Sequence, residues 1–156
     1  MTTYLDLISL EDAKVYLRID DDQNETDNEI KSMIKSALMY VERRTNINLI
    51  PKNKEYTATN GVVNVYDYPI NEVIDGAPSN VCKRNLYTSY FVGYNNEVLS
   101  LNVGYTDANS VPSDLIDVAK TIIKVMYYEQ ESNKSFKDLL PRWVDEFLNV
   151  NSRFIL

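Results

Sequence analysis

The chain has 156 residues, 44% of them hydrophobic and 25% charged, enough for one buried core and too well mixed for a disordered chain. Twenty-three acidic against sixteen basic residues give a net charge of −7, the wrong sign for gripping phosphate backbones, so direct nucleic-acid binding is disfavoured. With no histidine, a single cysteine (Cys82) and four scattered glycines, the usual zinc sites, nucleophile–histidine pairs, internal disulfides and phosphate-cradling loops drop out.

The first element is a short helix over residues 10–18. Ser9 stands at its cap position with Asp12 three residues on, and Leu10, Ala13, Tyr16 and Leu17 form a short apolar stripe. An acidic run follows, Ile19-Asp20-Asp21-Asp22-Gln23-Asn24-Glu25-Thr26-Asp27-Asn28-Glu29-Ile30. Asp20, Asp22 and Asn24 fill the first three ligand positions of a calcium loop. Glu25, however, stands where that loop needs glycine, and Lys31 where it needs a bidentate glutamate. The run therefore reads as an acidic turn into a second helix and not as a metal site. Thr26 and Glu29 are spaced as a capping box for this helix, expected over residues 26–45. Ile30, Met33, Ile34, Ala37, Leu38 and Val41 recur along one buried stripe, with Lys31, Lys35, Glu42 and Arg43 off it.

Pro51 ends the helical pattern, and to about residue 106 the hydrophobic period becomes two. Asn60-Gly61 between Glu55–Thr59 and Val62–Tyr66 predicts a β-hairpin, because both residues suit left-handed turn geometry. Leu99, Leu101, Val103 and Tyr105 alternate with small or polar residues as a half-buried strand does, and Asn95-Asn96 predicts a second hairpin joining it to Tyr90–Tyr94. Seven of the twelve tyrosines lie in this region: Tyr56, Tyr66, Tyr68, Tyr87, Tyr90, Tyr94 and Tyr105. Two readings stay open for them, an interface with another protein and sheet packing with hydroxyls in water. Cys82, without a histidine partner, reads as a strand residue and not as a nucleophile.

Pro112-Ser113 opens a third helix, expected to residue 131, whose Leu115, Ile116, Ala119, Ile122, Ile123 and Met126 make a wide apolar stripe for packing on the second. Ser135 can cap a short turn, and Pro141 starts a last helix to residue 149 with Trp143, Val144, Phe147 and Leu148. The tail, residues 150–156, ends Arg153-Phe154-Ile155-Leu156, three apolar side chains that call for a docking groove or a partner. The expected fold is α+β, mainly α. It is a helical bundle (short helix, long helix, long helix, short C-terminal helix) with a small antiparallel β-sheet, about residues 54–106, inserted between the two long helices in one domain.

Taken in order, these patterns resemble the head-tail connector (adaptor, or head-completion) proteins of tailed phages. The carriers are Ile8 to Asp20, Asp27 to Ile30, Ala37 to Thr45, Tyr68-Pro69-Ile70, Val103-Gly104-Tyr105 before Val111-Pro112-Ser113-Asp114-Leu115, Tyr127-Tyr128-Glu129-Gln130-Glu131 and Leu140-Pro141-Arg142-Trp143-Val144 through Arg153. Asn46 departs from the pattern, standing where a glycine commonly closes the second helix, and the stretch 71–98 is unusually rich in tyrosine and asparagine. The resemblance implies a non-enzymatic virion protein, without cofactor, made in the host cytoplasm. It implies a ring of about twelve copies that joins the portal protein to a stopper or tail-completion protein while DNA passes as cargo. It also implies that Trp143, Phe147, Arg153, Phe154, Ile155 and Leu156 dock on the portal. Tyr66, Tyr68, Tyr87, Tyr90 and Tyr94 are the candidates for subunit or tail contacts.

No apolar run approaches the roughly 20 residues of a spanning helix, and Met1-Thr2-Thr3-Tyr4-Leu5-Asp6 lacks the plan of a signal peptide, so no membrane partner is expected. Two other functions fit parts of the sequence. An acidic protein-binding module or DNA-mimic inhibitor would use the charge of −7, and a metal enzyme would use Asp20, Asp21, Asp22 and Asp27.

Overall fold

The computed structural model describes residues 2–20 and 23–153. Among these residues six α-helices occur, α1 Tyr4–Leu7, α2 Leu10–Leu17, α3 Asp27–Thr45, α4 Ser113–Tyr128, α5 Phe136–Leu139 and α6 Arg142–Val150, with one 3-10 turn at Ala108–Ser110. Six strands lie between α3 and α4: β1 Lys52–Thr57, β2 Val62–Val65, β3 Ile70–Asp75, β4 Asn80–Lys83, β5 Thr88–Phe91 and β6 Val98–Val103.

The helices start and stop for local reasons. Ser9 accepts from the Asp12 amide at 3.0 Å at the head of α2. Arg18 closes that helix in the left-handed conformation (φ 59°), and Asn46 does the same for α3 (φ 57°), its amide bonded to the Glu42 carbonyl at 2.8 Å. Asparagine takes the left-handed region more readily than most residues, so it serves at Asn46 where glycine is commoner. The capping box expected at Thr26 does not form. Thr26 sits at φ −99°, ψ 4°, outside the extended region a cap needs, and makes no side-chain cap bond. The Glu29 carboxylate instead accepts from Gln130 at 2.9 Å, beyond the end of α4.

The expected architecture of four helices carrying one small sheet is corrected. The described residues form two three-stranded antiparallel sheets, ordered β1-β6-β3 and β2-β5-β4, and about 42% of them are helical and 22% in strands. Both expected hairpins are corrected with it. Asn60 (φ 53°) and Gly61 (φ 73°) do make a tight turn, closed by reciprocal Thr59–Val62 backbone bonds of 2.9 and 3.1 Å. The pairing stops there, because β1 pairs with β6 and β2 with β5. At Asn96 (φ 64°) the chain again passes from one sheet to the other. A turn sequence fixes a local reversal, whereas the partner of each strand is decided by which apolar faces can be buried together. The two short helices α1 and α5 were not expected as helices. A Thr3–Asp6 capping box and the Ser135–Asp138 cap hold them.

Two cores result. One gathers Leu17, Ile30, Ile34, Leu38, Leu115, Ile122 and Leu148 among the helices; the other gathers Val63, Val65, Tyr90, Leu99, Leu101 and Val103 from both sheets. Each large side chain so buried contributes roughly 1.5–3 kcal/mol.

Candidate assembly surface

The residues expected at the C-terminal docking site behave differently from one another. On α6, Val144 and Leu148 are buried, which turns Phe147 half inward against the helical core and leaves Trp143 on the outside, 49% exposed. Arg153 is not a free arm. Its amide donates to the Thr45 carbonyl at 2.9 Å, closing the chain end onto the end of α3. Its guanidinium reaches the sheets, donating through Nε to the Tyr66 carbonyl at 3.1 Å and through Nη2 to the Asn85 carbonyl at 3.4 Å, and it lies 4.7 Å from the centre of the Tyr68 ring. Burial lowers its pKa from the ordinary value, against the pull of Tyr68 and Tyr105, yet an arginine stays charged at neutral pH. Phe154, Ile155 and Leu156 lie outside the described residues.

The five tyrosines expected at an interface split three ways. Tyr66, Tyr68 and Tyr87 gather around Arg153 and Arg84. The Tyr66 and Tyr87 rings are 5.3 Å apart, Arg84 lies 5.6 Å from the Tyr87 ring, and Tyr68 meets Tyr105 edge-on at 6.3 Å. Tyr94 projects from the turn after β5, 75% exposed. Tyr90 is 5% exposed, part of the sheet core, and burial raises its phenol pKa.

Two carboxylates that sequence reasoning did not single out, the half-buried Asp67 and the buried Glu42, tie the strands to their neighbours. Asp67, between Tyr66 and Tyr68, accepts from Asn48 (2.7 Å), Lys54 (2.6 Å) and Tyr56 (2.5 Å). Burial works to raise its pKa, but those three hydrogen bonds and the Lys54 charge outweigh it, so the carboxyl is held below its ordinary range. The Tyr56 phenol is pushed up, first by burial and then by the carboxylate it donates to. Glu42 was expected off the buried stripe of α3 and is instead only 7% exposed. Its Oε1 accepts from the Leu49 amide (2.8 Å), and its Oε2 accepts from the Tyr4 hydroxyl (2.7 Å) and from Lys52. The polar residues marking both hubs are ordinary in sequence, and only their convergence makes them notable.

The acidic run before α3 meets a cation from the chain itself. Lys14, 3% exposed, places its ammonium 2.6 Å from Asp27 Oδ1 and 3.3 Å from Asn24 Oδ1. Asp27 Oδ1 is buried, and the attraction between its charge and the ammonium carries this contact. Among the described residues no group of three or more acids or cysteines is placed to hold a metal, and no helix is long and apolar enough to cross a membrane. Cys82 is exposed on β4.

The family model "Phage gp6-like head-tail connector protein" matches residues 7–139, and the chain belongs to that family. No curated protein matches it by sequence. Among solved structures it is similar in fold to a chain in "Neck of empty GTA particle computed with C6 symmetry" (TM-score 0.63, 16% identity, 92% of each chain covered). It is likewise similar to one in "Virion of native gene transfer agent (GTA) particle" (TM-score 0.62, 14% identity, 92% of each chain covered).

Proposed function

We propose that this member of the gp6-like connector family is a non-enzymatic structural protein of a tailed phage or prophage particle. It forms a ring of about twelve copies, between the portal vertex of the capsid and the stopper or tail, through which DNA passes. The observation that carries the reading is the family match over residues 7–139. Its place is the virion, after synthesis in the host cytoplasm. The similar neck structure was computed with C6 symmetry, and a ring of about twelve copies is compatible with a six-fold axis.

Ring contacts between unlike patches need exposed amphipathic side chains on a stiff support. Tyr68 and Tyr94 are exposed in the segments that join the strands, and Tyr66 and Tyr87 are half-buried there, whereas Tyr90 serves the sheet core. A net charge of −7 per copy multiplies around a ring and keeps DNA from adhering during passage. Portal docking falls to Trp143, Phe147 and the tail Phe154-Ile155-Leu156, with Arg153 as the anchor from which the tail departs.

Deleting residues 154–156 while keeping Arg153 tests the docking assignment. Co-sedimentation with portal should be lost while thermal unfolding stays unchanged; retained binding overturns the assignment. Negative-stain images of the protein mixed with portal test the ring, and particles without a ring on the portal would overturn it.

A further inference from the structure

The Thr59–Val62 turn joins β1 of one sheet to β2 of the other, and at the far ends of the two strand orders neither β3 nor β4 has an outer partner strand among the described residues. Between those two edges lies an open cleft of about 550 Å³, within the roughly 300–1,000 Å³ common for binding clefts. Its walls are Ile70 and Val73 from one sheet and Val81 and Tyr90 from the other, and Arg153 lines it too. Val73, Ile74 and Val81 are exposed on strands whose residues are nearly all exposed. An open apolar strand edge is a template for another strand.

The two edges are not equivalent. β3 carries register shifts at Ile70/Glu72 and Val73/Asp75, irregularities that turn an edge away from pairing. β4 runs against β5 in unbroken register from Asn80 to Lys83. The Arg84 amide bonds the Tyr87 carbonyl at 2.9 Å, so by antiparallel alternation the main-chain groups of Val81 and Lys83 point away from β5. The Val81 amide is meanwhile held by the Asn80 side chain at 2.8 Å, a local acceptor that a backbone carbonyl can replace. The charge beside this edge is positive in a chain of net −7. Lys83, Arg84 and Arg153 face the cleft with Glu72, and the other lining carboxylate, Asp67, is already paired with Lys54.

We propose that the β4 edge accepts an extended segment of another protein. That segment adds as a strand along Val81 and Lys83, lays alternate apolar side chains on the exposed Val73 and Val81, and sets a carboxylate against Lys83 and Arg84. The chain's own dense acidic run is held elsewhere, by the left-handed cap at Arg18 and by the Lys14–Asp27 pair. The proposal stands whether or not the chain forms a ring.

The test uses two blocked hexapeptides, one alternating valine with glutamate and one alternating valine with lysine, titrated into the full chain labelled with nitrogen-15. The valine–glutamate peptide should shift and protect the Val81 and Lys83 amides and bind at least tenfold more tightly than its lysine counterpart. The double substitution K83E/R84E, at exposed positions, should reverse that preference without loss of the folded spectrum. Three results would overturn the proposal: shifts that avoid β4, equal affinity for the two peptides, or protection of Val81 that grows with protein concentration alone, which would make a second copy the occupant.

Discussion

Replacing Glu42 by alanine tests how the helices are fastened to the sheets. The change orphans the buried Leu49 amide and removes the acceptor of the Tyr4 hydroxyl and the Lys52 ammonium, so three bonds disappear around a carboxylate that is only 7% exposed. An orphaned buried donor costs about 1–3 kcal/mol, and the lost bonds from the Tyr4 hydroxyl and from Lys52, whose side chain is 30% exposed and regains water, about 2 more, which puts the loss at roughly 3–5 kcal/mol. For a chain of this size that lowers the melting midpoint by roughly 6–20 °C. Tyr4→Phe removes one of the three bonds and should cost about 1 kcal/mol. The double variant should lie within about 0.5 kcal/mol of Glu42→Ala alone, because the Tyr4 contact is already gone in it. Circular dichroism melts and urea midpoints read all three. A Glu42→Ala loss under about 1 kcal/mol, or a Tyr4→Phe loss as large as that of Glu42→Ala, would refute the reasoning.

Asp67 predicts a pH dependence. Its folded pKa is depressed, so its contribution is fully present above the ordinary carboxylate range near 3.9 and is lost as pH falls through the folded value. Urea midpoints measured from neutral to strongly acid pH should fall more steeply for the wild type than for Asp67→Asn, and parallel curves would contradict the role of the hub. The glycines give a contrast. A Cβ at Gly104 (φ 108°) would stand 2.0 Å from the Ile50 carbonyl oxygen, whereas one at Gly93 (φ 102°) meets nothing within 4 Å. Gly104→Ala should therefore cost at least about 3 kcal/mol, and Gly93→Ala about 1–2 from backbone strain alone. Equal thermal losses would mean that the Ile50 contact relaxes freely.

The acidic run shows where local reasoning reaches and where it stops. The wrong residues at two ligand positions argue against calcium from sequence alone. That the positive charge comes from Lys14, one helix earlier, depends on α2 folding back against the start of α3. The tyrosines divide the same way. Tyr90 and Tyr94 look alike in sequence, yet one is in the sheet core and the other 75% exposed, because Tyr90 opposes Val63 and Val81 in paired strands while Tyr94 falls in a turn. Arg153 carried no local signal of its three anchors, which belong to residues far away in the chain.

By itself, the sequence determined the elements whose causes are local. The 3.6-residue stripes placed α3 and α4, Ser9 and Asp12 started α2, and Asn60-Gly61 turned the chain, since each depends on neighbours within a few positions. Tertiary structure alone decided that the chain changes sheets at its turns, that Glu42 and Asp67 become hubs, and that a cleft opens between β3 and β4. The physical reason is that strand partners and buried polar contacts are chosen by burying faces from distant segments together, and no window of a few residues contains that information.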